Sequence, residues 1–329
     1  MRRESQLVLL LACASLLLAF AITAIYRGKS LLNGGPESKP KITVILKSVD
    51  YRLAFWQTVK DGVDSAAKDA GIEYIIEGPF SETQVDEQIQ MIGVAIQSKP
   101  DAIVLAATDY DRLVPVAKQV KQAHIPLITI DSFINSQDAN TRIGTDNYDA
   151  GKKAGEALAE LIQPGSQVVI MSYIQGSSTA MDRESGVRDS LKGKVEFLET
   201  LYSSGEADIA YQQALDLLHN QPQVKGIIAL NDPTATGVAR ALNESGRKDE
   251  VVLIGFDNSL PVLQSVEAGV IKDTIVQRPF NMGYLSIMTA LDIIRGKSVE
   301  PFIDTGSKVI NRQNMLLPEN QKLLFPVNR

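Results

Sequence analysis

Eight residues able to do chemistry fall at or beyond the carboxyl ends of β-branched runs: Phe55, Trp56, Asp109, Asp131, Arg183, Asn231, Asp257 and Gln277. In doubly wound sheets ligands bind outside those strand ends. Carboxylates, two amides and an Arg can donate to and accept from vicinal hydroxyls, and aromatic rings cover the C–H patches of a sugar. The set suits a neutral polyol. Each residue also has a structural use: Asp131 and Asp257 as helix caps, Asn231 with Asp232 as the cap of a helix near 233, and Phe55 and Trp56 as core. Eight suitable residues at the strand ends of two chain halves favour the ligand reading.

The motifs of enzymes with a similar layout are missing. The turn after the first strand reads SVDYRLAFW, without the glycines of a dinucleotide site. Gly296-Lys297-Ser298 offers only the tail of a phosphate loop, because Leu291 stands where its first glycine should be, and it reads as a helix stop. The two histidines, His124 and His219, lie at predicted helix ends, and the body has no Cys to join them, so no metal site is expected. No G-x-S-x-G elbow occurs, and Ser177-Ser178 reads as a helix N-cap. We therefore expect no catalytic residues and no cofactor.

The elements that must hold the strand-end residues alternate regularly. Residues 41–47 (KITVILK) read as a strand, Val59, Val63, Ala66, Ala67 and Ala70 recur at helical spacing, and Gly71 reads as the stop. Strands follow at 72–78, 102–107 and 125–131, with helices near 83–97 and 111–123 between them. A second series has helices near 148–163, 180–191, 207–219 and 233–245, and strands at 167–173, 195–201, 224–230 and 251–257. Such βα units predict parallel sheets, and two halves of four or five units fit better than one barrel.

Residues 7–25 are apolar and uncharged, between Arg2-Arg3 and Arg27 with Lys29. Nineteen residues exceed the apolar stretch of a cleavable signal, roughly 7 to 15, and come near the roughly 20 of a membrane span. We expect a single-pass anchor over 1–27 and a Gly- and Pro-rich linker over 28–40. Leu10-Leu11-Ala12-Cys13 loosely resembles a lipobox, which leaves lipidation at Cys13 as an alternative. Positive charge at both ends does not settle sidedness, while the absence of Cys from the body is compatible with an extracytoplasmic location. A net charge of −6 and a pI near 5.2, with no basic run, argue against a nucleic-acid partner.

Several segments carry a resemblance to a known family. FWQTVKDG (55–62), IPLITID (125–131), IGTDNYDAGKKAG (143–155), DRESG (182–186), ALNDPTATG (229–237), IGFD (254–257) and IVQRP (275–279) resemble the type I periplasmic sugar-binding proteins of the ribose and galactose group, whose fold is shared by the ligand-binding core of lac-repressor-type regulators. The resemblance covers roughly 42–312. It implies an α/β fold of two doubly wound parallel-sheet lobes joined by three crossings, near 145–146, 277–278 and 304–307. The lobes would comprise 41–145 with 278–305, and 146–277 with 306–329. It implies that Phe55, Trp56, Asp131, Arg183, Asn231, Asp257 and Gln277 line a sugar cleft, and Asp109 joins them from the strand-end reading. Ribose-binding relatives carry an Arg where this chain has Ser132, which we keep among the ligand-binding positions, and an aromatic where it has Gly205 or Glu206; both departures argue against ribose. The implied function is capture of a monosaccharide or related polyol by hinge closure, for an ABC permease. An alternative is a sensor presenting its loaded form to a membrane histidine kinase, which a membrane anchor favours.

Overall fold

A strand of β-branched residues followed by an amphipathic helix can bury its apolar faces only by laying the helix on a sheet of its neighbours. The computed structural model describes residues 39–326, so the apolar run at 7–25 lies outside the described residues. The first half contains β1 (Lys41–Ile45), α1 (Ala54–Ala70), β2 (Glu73–Glu77), α2 (Val85–Ser98), β3 (Ala102–Leu105), α3 (Val114–Gln122), β4 (Leu127–Ile130) and β5 (Thr141–Gly144). With β12 (Phe302–Asp304) these strands form an all-parallel sheet in the order β12-β5-β4-β3-β1-β2.

The second half repeats the plan with α4 (Asn147–Ala159), β6 (Gln167–Ser172), α5 (Ser178–Ser190), β7 (Glu196–Phe197), β8 (Leu201–Tyr202), α6 (Ala207–Asn220), β9 (Val224–Ala229), α7 (Asp232–Glu244), β10 (Val252–Phe256), α8 (Leu260–Glu267) and β11 (Ile271–Val276). Its sheet runs β13-β11-β10-β9-β6-β7, where β13 is Lys308–Asn311 and β8 also pairs with β6. Both sheets have the flavodoxin-like order 2-1-3-4-5, counting strands within each half. Two further helices complete the structure, α9 (Pro279–Ile294) against α1 and α10 (Pro318–Leu324) near the end of the chain.

The chain passes between the sheets three times, at 145–146, 277–278 and 305–307. After the first two passages a helix carries the chain back to the far end of the sheet, so the next strand is parallel. The third offers only three residues, which span at most about 11 Å. β13 must therefore start at the cleft end and run antiparallel to β11, an exception to the parallel expectation.

Alternation along the strands puts a core on both faces of each sheet. In the first, Ile42 and Val44 pack with Val59, Val63, Ile287 and Leu291, whereas Ile45 packs with Ile92, Leu113 and Leu127 on the other side. The strand expected over 195–201 is divided in two. Val168 to Met171 is three steps on β6, but their partners Phe197 and Leu201 are four steps apart. The extra residue breaks the edge ladder as a bulge does.

Helix pairs approach closely where glycines meet backbone. A Cβ on Gly151 of α4 would run into the carbonyl of Arg183 on α5, and one on Gly186 of α5 into the carbonyl of Tyr148. The same reciprocal contact joins Gly62 of α1 to Phe280 and Gly283 of α9 to Val59. We expect Gly151→Ala to cost about 1–3 kcal/mol by overpacking. Because the displaced backbone carries Arg183, chemical denaturation and ligand titration of the variant should both show a loss. Gly296 has φ +76° just past α9 and donates its N–H to Ile293, so it ends a helix.

Candidate functional site

The carboxyl ends of both sheets meet around one cavity of about 350 Å³. Phe55, Trp56, Asp131, Arg183, Asn231, Asp257 and Gln277 all line it. Phe55 and Trp56 occupy the first turn of α1, edge to face with ring centroids 5.0 Å apart. Trp56 also belongs to the core, and its indole N–H donates to Glu82 Oε1 at 3.0 Å.

Asp131 and Asp257 follow the fourth strand of their respective halves, and neither caps a helix. Both have left-handed backbone, φ +57° and +68°, and each donates its N–H to the fifth strand, to Ile143 and Ile275. Outside glycine such a conformation is uncommon and Asp is among the residues that tolerate it best; recurring at equivalent places, it turns two buried carboxylates into one cleft. Burial raises the pKa of both. Lys47 and then Arg183 oppose the rise at Asp131; Arg183 and a hydrogen bond from Gln277 Nε2, at 2.7 Å, oppose it at Asp257.

Arg183 is 2 % exposed. Its Nε donates to Asn147 Oδ1 at 2.8 Å, its Nη1 to the Leu230 carbonyl at 2.7 Å, and its guanidinium lies 4.5 Å from the Phe256 ring centroid. Nη2 makes no hydrogen bond to the described residues. Asn231 serves two ends: it caps α7 by accepting from the Thr234 N–H at 3.1 Å, and it lines the cavity.

Two expected site residues do not line the cavity. Asp109 Oδ1 accepts from the N–H groups of Asp111 and Arg112 at 2.9 and 2.8 Å, closing a turn. Ser132 is fully buried, its hydroxyl donating to the Ala107 carbonyl at 2.6 Å.

Lining residues that the sequence does not single out include Lys47, Glu82, Tyr173 and Asp232. Lys47 Nζ lies 3.4 Å from Glu82 Oε2 and 3.5 Å from Asp131 Oδ2, and donates to Ser177 Oγ in the opposite half at 3.1 Å. Burial opposes its charge, yet Glu82 and Asp131 outweigh that and hold its pKa above the ordinary lysine value. Ser177 thus keeps the N-cap position of α5 without capping it: the ammonium is a stronger donor than a backbone N–H. Nearby, the Phe133 N–H donates to Ser178 Oγ and the Tyr110 N–H to the Gly176 carbonyl, both at 2.8 Å, so the two halves touch across the cleft.

Asp232 accepts from the N–H and hydroxyl of Ser259 at 3.0 and 2.9 Å. Burial and the neighbouring Asp257 charge raise its pKa from 3.8 to about 7. Between those values the folded chain holds a proton that the unfolded chain has released, so this group's contribution to stability falls as pH rises from about 4 to about 7. Asp232→Asn should therefore stabilise the ligand-free protein at pH 8, with the gain vanishing by about pH 4; urea unfolding across that range checks it.

Among the described residues no group of His, Cys, Asp and Glu has the arrangement of a metal site. His124 and His219 are both exposed.

A family model for a periplasmic binding protein domain matches residues 42–298. The chain belongs to that family. It is similar to a D-ribose/D-allose-binding protein of Pseudomonas aeruginosa, 28% identical over 91% of this chain and 93% of the relative. Among solved structures it is similar to a carbohydrate transporter solute binding protein of Agrobacterium radiobacter in complex with D-arabinose, with TM-score 0.84, 30% identity, 88% of this chain and 100% of the other covered. An ABC transporter solute binding protein of Agrobacterium vitis with bound D-fucose gives TM-score 0.83 and 34% identity, over 87% of this chain and 100% of the other. The α/β architecture of that family, with parallel sheets, is the one described above for the two halves.

Proposed function

We propose that this chain is an extracytoplasmic solute-binding protein that captures a monosaccharide or related polyol by hinge closure and delivers it to an ABC importer. The cleft carries this reading: aromatic rings and buried hydrogen-bonding groups from both lobes line one cavity. A ligand touching both lobes favours the closed arrangement by its differential affinity for it. The relatives support the same role, since they include sugar-binding proteins and transporter components. No nucleophile–base pair or cofactor is invoked, and the reading is binding without turnover.

The apolar run at 7–25 supports a membrane tether with the binding lobes outside the cytoplasm. It also favours a second reading, in which the loaded form docks on a membrane histidine kinase, because a tether keeps the lobes beside a membrane partner.

Pro40–Arg329 form a compact unit of their own, so this part can be tested without the anchor. Thermal unfolding against pentoses, hexoses, inositols and sugar phosphates should show stabilisation by a neutral sugar, about 2.7 kcal/mol at 100 times its Kd. No shift with any of them would overturn the sugar reading. Binding of purified permease or of the kinase ectodomain by the loaded form distinguishes import from sensing.

A further inference from the structure

The cavity of about 350 Å³ runs from buried polar groups to exposed ones at its mouth.

The lining changes character along the cavity. At the inner end Asp131, Arg183, Asp257 and Gln277 are all less than 9% exposed. At the mouth stand groups that a monosaccharide seated on those four leaves unused. Phe80, 55% exposed, offers an aromatic surface. The Arg52 guanidinium lies 5.6 Å from the Phe80 centroid and is held by two donors on the Asp50 carboxylate. Glu206 and Asp208, on the other lobe, add acceptors around the start of α6, Asp208 with the oxygen that its ion pair to Arg240 leaves free. Between them Gly205 brings no side chain, and a Cβ built there meets nothing within 4 Å. Aromatic surface, the guanidinium N–H groups that Asp50 leaves free and carboxylate acceptors are groups that recognise a saccharide ring.

We propose that the cleft holds two joined rings, an inner one over Asp131, Arg183, Asp257 and Gln277 and an outer one at the mouth between Phe80 with Arg52 and Glu206 with Asp208, so that the preferred ligand is a disaccharide or glycoside. This rests on the sugar-binding reading and deepens it. The inner ring supplies closure; the outer one adds affinity through exposed groups.

Calorimetric titration of residues 40–329 with matched sugars tests it: glucose against maltose, cellobiose and sucrose, galactose against melibiose and lactose, and arabinose against arabinobiose. At least one disaccharide should bind ten-fold or more tightly than either of its free components. Phe80→Ala and Arg52→Ala should each remove most of that gain while leaving the free monosaccharide's affinity unchanged. Tight binding of a free sugar with weaker binding of every disaccharide built on it would overturn the outer site and leave the sugar reading standing. Equal losses for one ring and two in the Phe80 variant would overturn it as well. Binding of neither class would remove both proposals together.

Discussion

Asp257→Ala should lower affinity for the cognate sugar at least 100-fold while leaving the melting temperature of the ligand-free protein nearly unchanged. The two effects separate because Asp257 is buried without a salt bridge: Gln277 Nε2 is its side-chain partner, and burial raises its pKa. Removing it frees the fold from a poorly solvated charge, which offsets the loss of one acceptor for Gln277 and the roughly 1–2 kcal/mol of Ala in left-handed backbone. A bound sugar, in contrast, would lose hydrogen bonds to a charged group, worth about 1.5–3 kcal/mol each, and two such bonds exceed the roughly 2.7 kcal/mol that separates a 100-fold change. Asp257→Asn keeps the shape and tolerates the left-handed backbone, so its loss should be intermediate. Titration calorimetry with scanning calorimetry on the same samples reads both quantities. An Ala variant whose affinity stays within ten-fold of the wild type would place the sugar elsewhere.

Lys47→Met should be the most destabilising single change in the cleft, by about 3–5 kcal/mol at pH 8, because it strands two carboxylates beside an apolar side chain. Glu82 and Asp131 flank the ammonium at 3.4 and 3.5 Å, and Asp131 is almost fully buried. Without the cation the burial that already raises the Asp131 pKa loses its main opposing charge, so the penalty should shrink as pH falls and that carboxylate takes up a proton. Denaturant unfolding at pH 5 and pH 8 measures that slope. The double variant Lys47→Met with Asp131→Asn should recover a large part of the loss, since only one carboxylate then stays unpaired.

The fold was legible because its signals are local: β-branched runs and helical periods mark most elements, and their alternation dictates parallel pairing. Where pairing depends on distant partners the reading stopped short. Residues 195–201 form one β-rich run, yet the register of β6 splits it. The cleft residues at the carboxyl ends of the fourth strands were visible because their place follows from topology alone. Lys47 was not, since a lysine closing the run KITVILK reads as a solvated strand end until Glu82 and Asp131 are brought beside it from 35 and 84 residues away. Asp109 shows the reverse error: its spacing to Asp111 and Arg112 is that of a carboxylate closing its own turn, a local pattern that competes with ligand binding.

The three passages between sheets also set an order of assembly. The first sheet contains β1 to β5 but is completed by β12, and α9, which shares the cover of its Val44 face with α1, lies beyond all the parallel strands of the second sheet. Tyr284 of α9 reaches Asp69 of α1 across 215 residues. A chain emerging from the ribosome therefore holds every parallel strand of its second half before it has the means to complete its first, and the half synthesised first must wait, with an apolar face covered only in part by α1, for residues 279–304.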